Sequence, residues 1–146
     1  MTDRKDIEIV QTTDSPAEVR DLILEMIHQS NEEEFGPSNM QMLRLFLRGE
    51  DGQILGGLWG RTVFKWLYVE LLAVPEKLRG RGLGRELLAR AEAEARQRGC
   101  IGAWLETYSP RSRRLYEACG YTLFGSMIDC PPGGARSFMS KRLDTL

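Results

Sequence analysis

The sequence predicts an α/β fold on a mixed sheet, with antiparallel strands first and a parallel pair joined through a helix. Three observations carry that expectation. Trp66 to Arg98 reads as an apolar strand, a glycine-rich loop and an amphipathic helix. Upstream, two aliphatic runs flank an Asp-Gly turn signal, the pattern of a hairpin. Downstream, Cys100 to Tyr108 and Ser109 to Tyr121 repeat a strand followed by a short helix.

Taken in order, Ile7 to Val10 is expected as a first strand. Thr12-Thr13-Asp14-Ser15-Pro16 then signals a helix start, with Asp14 or Ser15 as N-cap and Pro16 at N1. Val19, Leu22, Ile23, Met26 and Ile27 recur at spacings of three and four, so this helix is expected to lay one apolar face on a sheet. His28 is the sole histidine, and a lone histidine near a helix end is more often a surface or hydrogen-bonded residue than a catalyst. Asn31-Glu32-Glu33-Glu34-Phe35-Gly36-Pro37 reads as an acidic turn or short second helix, either a solvated charge run or an acidic lip that attracts a cationic amine.

Met42 to Arg48 and Ile54 to Trp59 form the expected hairpin across Glu50-Asp51-Gly52-Gln53. Gly56, Gly57 and Gly60 leave room for a ligand or mark a bulge. Arg61 to Lys65 turns the chain into the central strand, Trp66 to Val74, whose one interruption is Glu70. Pro75 ends that strand because it has no N–H for a ladder. The helix from about Gly82 to Arg98 stacks Leu83, Leu87, Leu88, Ala91 and Ala95 on one stripe and pairs Glu86/Arg90, Glu92/Arg96 and Glu94/Arg98 at i, i+4. Gly99 suits its C′ position, and because a helix joins them, the strands on either side should run parallel. Ser109 and Pro110 start the next helix, which ends at Gly120. Thr122 to Ile128 and Ala135 to Leu143 read as a closing strand pair.

At 146 residues the chain is expected to be one domain, residues 1–146, with a core of its own. Net charge is −1, so no global field recruits nucleic acid or anionic membrane. No apolar run approaches the ~18 residues that span a bilayer and the N-terminus lacks a signal-peptide core, so a cytoplasmic location is expected. Cys100, Cys119 and Cys130 have no C-x-x-C spacing and read as reduced, mostly buried thiols, with no metal site expected.

Three glycines in five positions, Gly80, Gly82 and Gly84, stand where a helix begins. Unpaired first-turn amides and the positive end of the helix dipole form an anion site there, and Arg79, Arg81 and Arg85 add charge around it. A bland glycine-rich turn with scattered arginines is the competing reading. A mononucleotide P-loop is excluded because Gly84 is followed by Arg85-Glu86, and a dinucleotide fingerprint because Arg85 stands where its third glycine belongs.

The loop resembles the cofactor motif of the GNAT superfamily of N-acetyltransferases, Arg/Gln-x-x-Gly-x-Gly/Ala, which Arg79, Gly82 and Gly84 match in order. A second motif of that family, Asn-x-x-Ala-x-x-Leu-Tyr-x-x-x-Gly-Phe, is matched in register by Leu115, Tyr116, Gly120 and Tyr121, with Ser109 and Ser112 in place of the Asn and the Ala. Asp129-Cys130-Pro131-Pro132-Gly133-Gly134 is similar to an Asp-Tyr-Pro-Pro-Gly-His segment of some members, from which Cys130 and Gly134 depart, so no role is carried over to those two. The resemblance covers about Gln53 to Leu143. It implies a strongly twisted sheet with helices on both faces, whose central parallel strands splay apart around acetyl-CoA. The pyrophosphate would lie on Arg79, Gly80, Arg81, Gly82, Leu83, Gly84 and Arg85, with Ser109 beside the cofactor and Leu72, Ala73 and Val74 bonding the pantetheine as a pseudo-strand.

Acetyl transfer to an amine needs a neutral amine, an oxyanion donor and a proton for the departing thiolate. A primary amine is only about one part in 10³ neutral at pH 7, so a carboxylate that takes its proton is useful. By resemblance Glu70 is that base, with Glu106 as rival and an arginine-paired structural carboxylate as the competing reading. The Leu72 N–H is the expected oxyanion donor and Tyr116 the expected acid, unless Tyr116 only packs the core. The acceptor is expected to be a small-molecule or peptide amine, and the sequence leaves a homodimer open. Two alternatives stand beside this reading: a module that senses acetyl-CoA without turnover, and an RNA-directed (aminoacyl-tRNA) acetyltransferase suggested by Arg79, Arg81, Arg85, Arg111, Arg113 and Arg114, which the acidic balance disfavours. A covalent cysteine enzyme is least favoured, because no cysteine has a sequence-evident base.

Overall fold

A computed structural model describes residues 1–145, which divide into two compact units, Met1–Pro37 and the remainder from Ser38. In the first unit a 3₁₀ turn spans Arg4–Asp6 and helix α1 spans Ala17–Phe35. Ile7 to Val10 forms no strand. Pro16 is the N-cap of α1 without a side-chain cap bond, so the expected Asp14 or Ser15 cap moves by one or two residues. The acidic run is neither a turn nor a second helix. Glutamate is a good helix former, and α1 continues through Glu32–Glu34 until Gly36, at φ 85°, stops it. The expected stripe is present on α1, but Val19, Leu22, Ile23, Met26 and Ile27 are all exposed.

The second unit is a six-stranded sheet in the order β1-β2-β3-β4-β6-β5. Its strands are β1 (Gln41–Arg48), β2 (Ile54–Val63), β3 (Trp66–Ala73), β4 (Gly102–Thr107), β5 (Thr122–Ile128) and β6 (Ala135–Arg142). Every neighbouring pair is antiparallel except β3 and β4, which run parallel as the intervening helix requires. β2 is longer than the apolar run suggested, because Phe64 and Lys65 both adopt positive φ, 49° and 63°, and close a two-residue hairpin. That turn usually carries Asn or Gly, which is why its sequence was silent.

Helix α2 (Leu83–Gln97) buries Leu87, Leu88, Ala91 and Ala95 in one core with Leu58, Leu67, Val69, Leu105 and Met139 of the sheet. Leu67, Leu88 and Leu105 are at most 1% exposed, each worth about 1.5–3 kcal/mol against the solvated state. Helix α3 (Pro110–Ala118) adds Tyr116, next to Tyr121.

Two of the three expected helix pairs form, Glu86–Arg90 and Glu94–Arg98. Glu92 does not pair with Arg96. It lies one turn beyond Leu88 on the buried stripe, accepts from Lys141 Nζ at 2.6 Å and Tyr121 Oη at 3.2 Å, and is 3% exposed. Arg96 instead donates to the Leu143 carbonyl.

Candidate active site

The parallel ladder between β3 and β4 is short. It runs from Trp66↔Gly102 to Val69↔Leu105 and stops, while β3 continues to Ala73 and β4 to Thr107. Beyond the last pair, Leu71, Leu72 and Ala73 stay bonded to β2 through Trp59, Leu58 and Gly57. On their other side β3 presents a strand edge with no β4 partner, the kind of edge to which an extended ligand can add.

A bulge bends β3 at this point. The register passes from Trp59↔Leu71 to Gly60↔Val69 and leaves Glu70 as the extra residue. Gly60 permits the close approach, since a Cβ there would stand 2.4 Å from the Tyr68 carbonyl oxygen. Glu70 and Glu106 are therefore the first residues past the end of the ladder, one on each limb of the fork.

A cavity of ≈ 390 Å³ is lined by Leu72, Ala73 and Val74 from β3, by Leu78, Arg79, Gly80, Gly82, Leu83, Gly84 and Arg85, and by Arg111, Ser112 and Leu115 from α3. Gly82 is the N-cap of α2 in the left-handed region, φ 79°, and offers no side chain to its first-turn amides. Those N–H groups are left for an anion, favoured by the helix dipole. Gly84 is needed for width, because a Cβ there would lie 3.1 Å from Leu115 Cδ2. Arg79 Nε donates to the Val74 carbonyl at 3.3 Å and ties the loop to the end of β3.

Of the residues assigned to the cofactor from sequence, Arg81 and Ser109 are not on the cavity wall. Arg81 is exposed, and Ser109 caps α3 by accepting from the Ser112 N–H at 3.2 Å. Arg111, Ser112 and Leu115 were not assigned. Their spacing of three and four along a helix that begins at a strand end was the available signal.

The two carboxylates differ in their surroundings. Glu70 Oε2 accepts from Arg61 Nη1 at 3.2 Å, and both side chains are about two-fifths exposed, at 40% and 39%. Glu106 is 19% exposed and is held twice, by the Arg136 guanidinium and by the Tyr68 hydroxyl at 3.5 Å. Tyr68 in turn stacks on Trp104 with ring centroids 4.1 Å apart and carries Arg61 over its ring at 4.9 Å. Burial, then the Glu106 and Glu70 charges, raise the Tyr68 pKa.

Tyr116 is one turn beyond Ser112 on α3, 5% exposed, and not on the cavity wall. Burial is the main cause that holds its pKa above the ordinary 10.0, so the phenol stays protonated at neutral pH. Among the described residues its hydroxyl has no hydrogen-bond partner.

A splayed parallel pair, an open strand edge and an anion cradle at a helix N-terminus thus border one cavity. Comparison with known proteins gives the family. Residues 10–121 match the model of the Acetyltransferase (GNAT) family. An acetyltransferase of Agrobacterium fabrum is 41% identical over 126 residues, covering 86% of this chain and 92% of the relative. The blasticidin-S acetyltransferase of Streptomyces morookaense is 41% identical over 105 residues, 71% of this chain and 77% of that one. A crystal structure of an Agrobacterium tumefaciens protein described as an acetyltransferase superposes with a TM-score of 0.88 at 39% identity, covering 93% of this chain and 99% of that one. The chain belongs to the GNAT acetyltransferase family. It is an N-acetyltransferase that moves an acetyl group from acetyl-CoA to an amine. The lining has the chemistry acetyl-CoA calls for: unpaired first-turn amides of α2 and arginine side chains that suit an anion, beside apolar Leu72, Leu78 and Leu115. Among the described residues no helix is long and apolar enough to cross a membrane.

Proposed function

We propose that the protein acetylates a small-molecule amine by direct transfer in a ternary complex, with Glu70 as base and Tyr116 as acid. The observation that carries this reading is the fork, where the open edge of β3 faces the cavity and Glu70 stands at the crotch. Acetyl-CoA supplies an acyl thioester. Leu72, Ala73 and Val74, which line the cavity, would hold it as an added strand through their backbone groups, and the Leu72 N–H would serve as donor to the oxyanion.

Glu70 suits the base better than Glu106. Its single solvated ion pair is worth about 0–1 kcal/mol and is readily exchanged for an ammonium group. Glu106 is fixed by two partners and orients the wall instead. Taking the proton from an amine that is ~10³-fold protonated at pH 7 recovers a handicap of roughly 4 kcal/mol. Tyr116, kept neutral by burial, gives its proton to the departing sulfur. Burial raises the Cys100 and Cys119 thiols away from the reactive thiolate, which argues against either as a nucleophile. The three free thiols suit a reducing cytoplasm, where we place the protein.

The relative named for blasticidin S supports a small amine rather than a protein terminus, as do the half-buried Tyr68 and Trp104 rings beside Glu70 and Glu106. A panel of antibiotic amines, polyamines, amino acids and peptides, read by CoA release, tests this. Turnover of compact amines is expected, and turnover confined to peptides would overturn the acceptor assignment. Mass spectrometry of enzyme with acetyl-CoA alone is expected to show no stoichiometric acetyl adduct.

A further inference from the structure

In the unit that holds the cavity, Arg61, Arg90, Arg98, Arg113, Arg136 and Arg142 each lie in an ion pair. The two arginines that line the cavity from helices do not. Arg85, in the first turn of α2, and Arg111, in the first turn of α3, make no hydrogen bond or ion pair among the described residues. Cations left uncompensated around one concave surface favour an anion in it.

The start of α3 singles out Arg111. Pro110 at N1 has no N–H, Ser112 N donates to Ser109 Oγ at 3.2 Å, and Arg113 N donates to the Ser109 carbonyl at 2.9 Å. The Arg111 amide is then the first-turn donor without a partner, on the same residue as an unpaired guanidinium. A guanidinium matches a phosphate through two parallel N–H bonds, which a lysine at this place would not.

We propose that Arg111 is a binding residue for the phosphates of the donor, gripping from α3 the anion that α2 cradles with its amides. This role rests on the cavity being the acetyl-CoA site. It gives the enzyme a means of selecting phosphorylated donors over the bare thioester arm, since the arm alone offers nothing for a guanidinium to grip.

The test is a titration of acetyl-CoA, acetyl-dephospho-CoA and S-acetylpantetheine against the parent, Arg111→Gln, Arg111→Glu and a Gly84→Asp control. Arg111 is exposed, so the first two variants should melt with the parent. Arg111→Gln is expected to weaken acetyl-CoA about 10-fold and Arg111→Glu more, with S-acetylpantetheine unchanged. Loss shared by the dephospho donor assigns the contact to the diphosphate, and loss confined to acetyl-CoA assigns it to the 3′-phosphate; both support the proposal. Acetyl-CoA affinity within about twofold of the parent, or equal losses for S-acetylpantetheine, would overturn it. Binding that survives Gly84→Asp would instead overturn the cavity assignment beneath it.

Discussion

Replacing Tyr116 by Phe separates a catalytic acid from a core aromatic. The substitution keeps the ring that faces Tyr121 at 6.2 Å between centroids and removes only a hydroxyl without a partner among the described residues. Since no hydrogen bond is lost, stability should change by less than about 1 kcal/mol, or about 3 °C in Tm for a chain of this size. Positioned proton transfer is worth about 10²- to 10⁴-fold, equivalent to about 2.7–5.5 kcal/mol of barrier. The two effects therefore differ in size and in the quantity they move. With an amine acceptor in hand, kcat and kcat/KM should fall together while KM for acetyl-CoA hardly moves. Turnover within roughly threefold of the parent, under about 0.7 kcal/mol, would refute the role of Tyr116 as acid.

Two further outcomes follow from buried polar groups. Lys141→Met would strand Glu92, which is 3% exposed and accepts from Lys141 at 2.6 Å, and is expected to cost about 3–5 kcal/mol in urea unfolding. Adding Glu92→Gln should recover most of that loss, and a single variant as stable as the parent would contradict the pair. Burial raises the phenol pKa values of Tyr68, Tyr116 and Tyr121 above 10.0. Their contribution to stability is complete below about pH 10 and is lost as pH rises through the raised values, because the folded state then holds more protons. Unfolding free energy should decline above about pH 10, less steeply in Tyr121→Phe, and an equal slope in both proteins would contradict this.

Most strands and both helices of the sheet unit were legible because their signals are local. The apolar run, Pro75 and the glycines of 80–84 delimit β3 and start α2, and Ser109-Pro110 starts α3. What escaped depends on distant partners. Glu92 looked like one more surface carboxylate on a charged helix, whereas its partner Lys141 lies 49 residues away. The distinction between Glu70 and Glu106 rests on Arg61, Tyr68 and Arg136, which only the strand register brings to them. Ile7 to Val10 has strand propensity but finds no ladder, and propensity alone does not make a strand.

Acetyl-CoA is expected to bind in the cavity between the end of β3 and the starts of α2 and α3. Calorimetric titration of acetyl-CoA into the parent protein and Gly84→Asp tests it most directly. An added carboxylate would enter the amide cradle with the wrong charge, next to a Cβ already 3.1 Å from Leu115, while suiting the first turn of α2 well enough to leave the helix intact. Micromolar binding by the parent without added metal is expected, with no measurable heat of binding by the variant. Equal affinity in the two proteins would contradict it.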